Sequence, residues 1–270
     1  MEQHRLTPGP LLNQDGDLAE AGYAFGLVKT YDRNAIKARK SRIKEWDYYY
    51  VGNASFGVAL TVADNGYMSM ASISVLDLEG KKETTVSRIG LFPMGKLHMP
   101  ASSKQGDVVF LGKDFKLRSI MEVDNGHFLG MRFLHEGDKR RLLCKMENFG
   151  KKGVLFRCDI LLEETNPASM VIATPFKAKK HFYYNQKINN QKASGYAKVG
   201  ERMYEFLEGS YAVLDWGRGV WTYKNTWYWS SLNAEQDGVP FGFNLGYGFG
   251  DTSKASENML FVGEAAYKLD

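Results

Sequence analysis

The stretch HFYYNQKIN, residues 181–189, combines ionisable and amide side chains with two tyrosines. His181, Tyr183, Asn185 and Lys187 lie two positions apart, so they share one face if this segment is a β-strand. His181 and Lys187 both exchange protons, and the neighbouring Tyr184 adds a hydroxyl. The spacing therefore predicts a candidate acid–base site, with His181 as general acid and Tyr184 or Lys187 assisting.

The stretch LDWGRGVWTYKNTWYWSS, residues 214–231, contains four of the five tryptophans in the chain. Its candidate residues are Asp215, Trp216, Arg218, Trp221, Trp227 and Trp229. In one interpretation, the carboxylate and guanidinium orient a polar group at the mouth of an apolar cavity, and Asp215 is an alternative general acid. In the other, a buried Asp215–Arg218 pair holds a turn and the indoles are core.

Two further stretches alternate with the period of a strand. In IKEWDYYYVG, Trp46 shares a face with two tyrosines, whereas Asp47 and Tyr49 share the opposite face. In FGFNLGYGFGD, residues 241–251, one series is bulky and apolar, and the other is four glycines and Asn244. We expect the apolar series to face a packed layer, and the glycine series to leave room into which Asn244 reaches.

Several chemistries lack their motifs. The sequence contains no G-x-S-x-G elbow, and its five histidines show neither H-x-H nor H-E-x-x-H spacing, so we predict no metal site and no cofactor. Seven basic residues crowd positions 29–45. No nucleic-acid motif accompanies this run, which we interpret as a solvated face rather than a nucleic-acid surface.

Period-2 segments joined by short turns recur after residue 46, and they predict an all-β protein of antiparallel strands that meander into barrels. The turns contain Gly52-Asn53, Asn65-Gly66, Glu79-Gly80, Asn125-Gly126 and Gly137-Asp138. Two weak helix candidates are LAEAGYAF and the turn at 253–258. The proline-interrupted stretch ETNPASMVIATPF predicts a junction, which divides the chain into an extension (1–20), a first barrel (21–165) and a second barrel (166–270).

The sequence also predicts the compartment. The first residues are polar and contain two prolines, and no segment approaches the length of a membrane span, so we expect a cytoplasmic protein without stable membrane insertion. Cys144 and Cys158 are then expected to be free thiols.

Five segments resemble a bacterial family catalogued as domain of unknown function 2804. They are RIKEWDYYYVG, KHFYYNQKIN, LDWGRGVWTY, TWYWSS and FGFNLGYGFGDTSKASEN, and the resemblance extends from about Leu11 to the last residue. Members of this family continue through further strands, so the resemblance implies that the second barrel is incomplete here.

More remotely, the layout is similar to the carotenoid hydratase and AttH-like superfamily. That similarity implies two lipocalin-like barrels in tandem and, for some relatives, cofactor-free hydratase or cyclase activity on hydrophobic substrates. Their Trp/Phe-x-Asp-His-x-x-Gly element matches VLDWGRG, in which Asp215 and Gly219 are retained and Trp216 replaces the histidine. This departure removes an acid–base residue of the hydratase-like sites.

The function predicted is the binding of a hydrophobic small molecule or lipid, in a barrel or between the barrels. Aromatic walls supply affinity, and Asn185, Arg218, Asn244 and Asp215 fix a polar end. One alternative is a cofactor-independent hydratase, isomerase or cyclase acting on a long apolar substrate. A structural or interaction module is the other. The sequence leaves open the ligand, the oligomeric state, and the roles of Asp251, Glu257 and Asn258.

Overall fold

The computed structural model describes residues 3–112 and 129–270, and the strand, the Asn125-Gly126 turn and His127 predicted within 113–128 lie outside them. The described part of the chain consists of β-strands and two short 3-10 helices, Arg33–Ala35 and Lys40–Arg42. The all-β class is confirmed, and nearly all strand pairs are antiparallel. None of the described segments is a helix long and apolar enough to cross a membrane.

The strands before residue 170 are β1 (Gly9–Pro10), β2 (Gly22–Ala24), β3 (Lys29–Thr30), β4 (Lys44–Gly52), β5 (Phe56–Asp64), β6 (Met68–Asp77), β7 (Lys82–Leu91), β8 (Val108–Leu111), β9 (Leu129–Glu136), β10 (Lys139–Met146) and β11 (Phe156–Glu163). The later strands are β12 (Met170–Pro175), β13 (Phe182–Val199), β14 (Arg202–Phe206), β15 (Tyr211–Val220), β16 (Tyr228–Gln236), β17 (Val239–Tyr247), β18 (Met259–Val262) and β19 (Ala265–Lys268). Both predicted helix candidates are wrong, since the first contains β2 and no helix is assigned at the second.

One large sheet contains most of these strands, in the order β7-β6-β5-β4-β15-β13-β11-β10-β9-β8. The two meanders are β4–β7, with turns at the predicted Gly52-Asn53, Asn65-Gly66 and Glu79-Gly80, and β8–β11, in which the β9–β10 turn lies at the predicted Gly137-Asp138. Strands β13 and β15 lie between the two meanders and join them, so the sheet is continuous across residue 166. The division of the chain there, and its closure into two barrels, stay predictions.

The large sheet curls around an apolar core. Tyr49 of β4 contacts Phe133 of β9 with ring centroids 4.8 Å apart, although four strands separate β4 from β9 in the sheet. Only a strongly curved sheet brings such strands face to face. The even-numbered apolar side chains of β15, and of β13 as far as Ile188, point into this core, as Tyr184 and Trp216 do.

A smaller sheet, in the order β16-β17-β18-β19, packs against the other face of β13 and β15. The orientation of the glycine-rich strand β17 is the reverse of the one expected from its sequence. Its glycine side is buried, whereas Leu245 and Tyr247 on the bulky side are exposed. A Cβ at Gly242 would collide with Asn190, and one at Gly246 with Glu257. Gly242 therefore permits close approach between the sheets, and Gly246 leaves space for the Glu257 side chain.

Candidate functional site

A cavity of about 360 Å³ lies between the two sheets, within the range of small-molecule sites. The large sheet contributes its floor, and β16 with the loops after β15 and β17 covers it. It is lined by seven aromatic side chains, three ionisable groups and four smaller side chains: Trp46, Tyr48, Tyr183, Trp221, Trp227, Trp229, Phe249, Lys187, Asp215, Glu257, Thr61, Ala63, Asn65 and Met70.

Strand register builds the floor. Lys187, Asp215, Tyr48 and Thr61 are directly opposite one another on β13, β15, β4 and β5. They form one row across the sheet, because side chains at paired positions point to the same face. The adjacent row contains Trp46, which is paired with Gly217. A Cβ at Gly217 would collide with the indole of Trp46, so this glycine lets the ring lie flat on the floor.

The covering side is organised by Asn244 on β17. This residue is fully buried; its Oδ1 accepts the indole N–H of Trp229 at 2.6 Å, and its Nδ2 donates to the backbone oxygen of Glu257 at 2.8 Å. The same Nδ2 lies 3.2 Å from Oε2 of Glu257. One amide therefore orients both an aromatic wall and an acidic group of the cavity.

The aromatic rings contact one another mainly edge to face. Trp46 and Trp221 are 5.0 Å apart at 85°, and Tyr183 and Phe249 are 4.7 Å apart at 78°. Such pairs are favoured because the ring edge is positive and the ring face negative. Trp227 is 53% exposed, which places it at the mouth of the cavity.

Lys187 and Asp215 form an ion pair in the floor, with Nζ and Oδ2 2.7 Å apart. The side-chain amide of Asn185 donates to the other oxygen, Oδ1, at 2.7 Å. The ammonium also lies 4.8 Å from the centre of the Trp229 ring, a cation–π distance. The charge of Lys187 is thus matched by one carboxylate and one indole face.

Glu257 is the second acid of the cavity and forms no ion pair within residues 3–112 and 129–270. Burial raises its pKa above the ordinary value of 4.5, and Asp215 adds to the rise; Lys187 and the bond from Asn244 oppose it in part. Burial and the charge of Asp215 also raise the pKa of Tyr48 to about 12. The two carboxyl groups therefore have different environments, one paired and one not.

Of the residues predicted from sequence, six line the cavity: Trp46, Lys187, Asp215, Trp221, Trp227 and Trp229. Asn185 and Asn244 lie beside it and hold Asp215 and Glu257. The structure therefore brings together eight of the predicted positions from β4, β13, β15, β16, β17 and the loop after β15.

Four other predicted residues lie on the opposite, core-facing side of the sheet: Asp47, Tyr49, Tyr184 and Arg218. Arg218 donates to Asp47 at 2.9 Å and to the backbone oxygen of Trp46 at 2.7 Å. The Tyr184 hydroxyl donates to the backbone oxygen of Lys29 at 3.1 Å. The prediction of a buried Asp215–Arg218 pair is wrong, because residues three apart on a strand point to opposite faces.

His181 does not line the cavity. It precedes β13, is partly exposed, and its Nδ1 bonds to the backbone oxygen of Lys179 at 2.9 Å. Its geometry gives no support to the role of general acid.

Sequence reasoning missed Tyr48, Tyr183, Phe249 and Glu257 as lining residues. The two tyrosines share strand faces with Trp46 and Lys187, so alternation along the strands could have predicted both of them. Glu257 follows a loop after the glycine strand, and no local pattern indicates that it turns back under Gly246. Within the described residues, no cluster of three or more histidine, cysteine or acidic side chains suits a metal ion.

Comparison with known proteins found no match among curated proteins. Two solved structures share 12% and 14% identity with this chain, each with a TM-score of 0.49. One is a protein assigned as AttH from Nitrosomonas europaea, with 90% of this chain and 73% of that chain covered. The other is kievitone hydratase from Nectria haematococca, with 88% and 70% covered. Similarity at this level does not bear on function.

A family model matches almost the whole sequence, from residue 2 to residue 270. The chain therefore belongs to the family described as Domain of unknown function (DUF2804).

Proposed function

We propose that this protein binds a small, largely apolar molecule in the cavity between its two sheets. The observation that carries the proposal is the cavity itself, which has seven aromatic side chains in its wall and about 360 Å³ of space. Pockets for small molecules are typically concave, apolar and equipped with few polar groups. Here the polar groups are Lys187, Asp215 and Glu257, which would hold a polar end of the ligand.

The proposal is tested by filling the cavity. Ala63 lines the floor and is almost fully buried, so Ala63→Leu adds three carbons to a site already surrounded by rings. Titration with the neutral dye N-phenyl-1-naphthylamine, followed by tryptophan emission, is expected to show saturable binding that Ala63→Leu weakens roughly tenfold or more. Ala265→Leu, at an exposed strand position, is the matched control.

Absence of dye binding to the unaltered protein would contradict the proposal. Binding that is unchanged in Ala63→Leu would also contradict it, because the dye would then occupy another place.

A second candidate function is cofactor-independent acid–base catalysis on the same ligand. The observation that favours it is the difference between the two acids of the cavity. Burial raises the pKa of Glu257, whereas Asp215 accepts bonds from Lys187 and Asn185. Two carboxyl groups in such different surroundings suit a proton donor and a proton acceptor. The general acid in this proposal is Glu257 rather than His181.

This candidate is tested once a bound compound is known. Turnover of that compound, followed by mass spectrometry, is expected to be lost in both Glu257→Gln and Asp215→Asn, while both variants still bind the neutral dye N-phenyl-1-naphthylamine. Unchanged recovery of the compound after prolonged incubation with the unaltered protein would leave binding as the function. The cytoplasmic location predicted from the sequence is likewise a proposal.

A further inference from the structure

We propose that the ligand of this cavity is an organic cation, an amine or quaternary ammonium group on an apolar body. This inference rests on the proposed binding function and specifies the class of ligand. Two features favour it: the acid Glu257, which lines the cavity without an ion pair, and the faces of the cavity's rings.

The charge balance leaves one acid without a partner. Lys187 and Asp215 neutralise each other at 2.7 Å. Glu257 lines the same cavity but has no ion pair within the described residues. A buried carboxyl group remains neutral or takes up an opposite charge, because an isolated buried charge is costly. A cationic ligand would supply that charge and leave the cavity electrically balanced.

The rings already accept cations from the protein's own lysines. The Lys187 ammonium lies 4.8 Å from the centre of Trp229, and the Lys44 ammonium lies 4.7 Å from the centre of Trp221. Ring faces attract cations through their quadrupole, most strongly for tryptophan, and enclosures of several rings are the usual receptor for quaternary ammonium groups. Four tryptophans border this cavity.

Asn244 holds only one oxygen of the Glu257 carboxyl group, and Glu257 lines the cavity. Oε2 lies 3.2 Å from the Asn244 amide, whereas Oε1 has no hydrogen-bond partner within the described part of the chain. Because Gly246 lacks a side chain, Oε1 can lie against it.

Cation binding is then coupled to release of the proton of Glu257. The groups that face this carboxyl from the neighbouring strands are Lys187 and Tyr183 on β13, Asp215 on β15 and Lys268 on β19. A cation stabilises the carboxylate form, so affinity for the cation should rise as the pH rises through the titration of Glu257. Affinity for a neutral ligand of the same shape should not rise.

The test compares three probes by displacement of N-phenyl-1-naphthylamine: benzyltrimethylammonium, its neutral isostere neopentylbenzene, and the anion 3-phenylpropionate. In the unaltered protein at pH 8, the cation is expected to bind roughly tenfold more tightly than the isostere. Glu257→Gln should remove this preference without weakening the isostere. Glu264→Gln, the same change at an exposed position of the following turn, should retain it.

Equal affinity for the cation and the isostere, or tighter binding of the anion, would overturn the inference and leave the proposed binding function standing. A preference for the cation that persists in Glu257→Gln would overturn it as well. If no probe and no dye bind, the proposed function fails too. Should Glu257→Gln fail to fold, the pH series on the unaltered protein decides, because a preference independent of pH contradicts the role of Glu257.

Discussion

Replacing both partners of the Lys187–Asp215 pair should cost no more stability than removing one of them. The two side chains are 4% and 14% exposed, with the charged atoms 2.7 Å apart. At this distance, and with an effective dielectric constant of about 20, their attraction is about 6 kcal/mol, which the cost of removing both charges from water largely offsets. Removing one partner leaves the other buried without an opposite charge.

We therefore expect Lys187→Met and Asp215→Asn each to lower the free energy of unfolding by about 3 kcal/mol. The double variant should also lose about 3 kcal/mol rather than 6, since it buries no charge, which corresponds to a coupling energy of about 3 kcal/mol. Urea denaturation of the four proteins measures this cycle.

The matched control is the exposed pair Lys139–Glu163, which is about half exposed on both sides. Lys139→Met and Glu163→Gln should show no measurable coupling, because solvent screens exposed pairs. Additive losses in the Lys187–Asp215 cycle would refute the reasoning, since they would mean that the two charges do not depend on each other.

Three further changes probe the covering side of the cavity. Gly246→Ala places a methyl group against Glu257 and should lower the free energy of unfolding by about 1–3 kcal/mol, whereas Gly26→Ala, with open space around it, should be neutral in urea denaturation. Trp229→Phe removes the indole N–H that donates to Asn244 at 2.6 Å. The buried oxygen of Asn244 is then unpaired, so the free energy of unfolding should fall by about 1–3 kcal/mol. Trp227→Phe is the control, since its half-exposed indole forms no hydrogen bond within the described residues. Burial raises the pKa of Glu257 above 4.5. The unaltered protein should therefore be most stable relative to Glu257→Gln below pH 4.5, and it should lose that advantage as the pH rises through the raised pKa. Midpoints of urea unfolding that shift equally with pH in both proteins would contradict this.

Alternation along single segments predicted much of the architecture. The strands around Trp46 and Lys187, their turns and the antiparallel meanders follow from residues that are close in sequence. For the tryptophan-rich segment, the sequence left open a cavity wall or a packed core; Trp221, Trp227 and Trp229 line a cavity, whereas Trp216 lies in the core.

Alternation does not indicate which face of a strand meets the cavity when both faces are buried. Tyr49 and Tyr184 were assigned to the site, but Tyr48 and Tyr183 line it. Every residue from Phe182 to Gln191 is buried, so hydrophobicity cannot distinguish the two faces. The orientation expected for the glycine strand was wrong for another reason, since its bulky side chains Leu245 and Tyr247 are exposed and its glycine side is buried.

Long-range register determined the ion pairs, and local sequence does not contain it. Asp215 and Arg218 are three residues apart, yet they pair with Lys187 and Asp47 on neighbouring strands. Glu257 reaches the cavity only because β17 and β18 form a hairpin over β13. Contacts between residues distant in sequence depend on the assembled sheets, so they could not be predicted from single segments.

The most direct test of the account is native mass spectrometry of the protein purified from the organism that makes it, followed by solvent extraction of any bound compound. The account predicts a reproducible small-molecule mass on the unaltered protein that is lost from Ala63→Leu and retained in Ala265→Leu. An apo mass in every preparation, together with no binding of N-phenyl-1-naphthylamine, would contradict the claim that the aromatic cavity between the two sheets is a ligand-binding site.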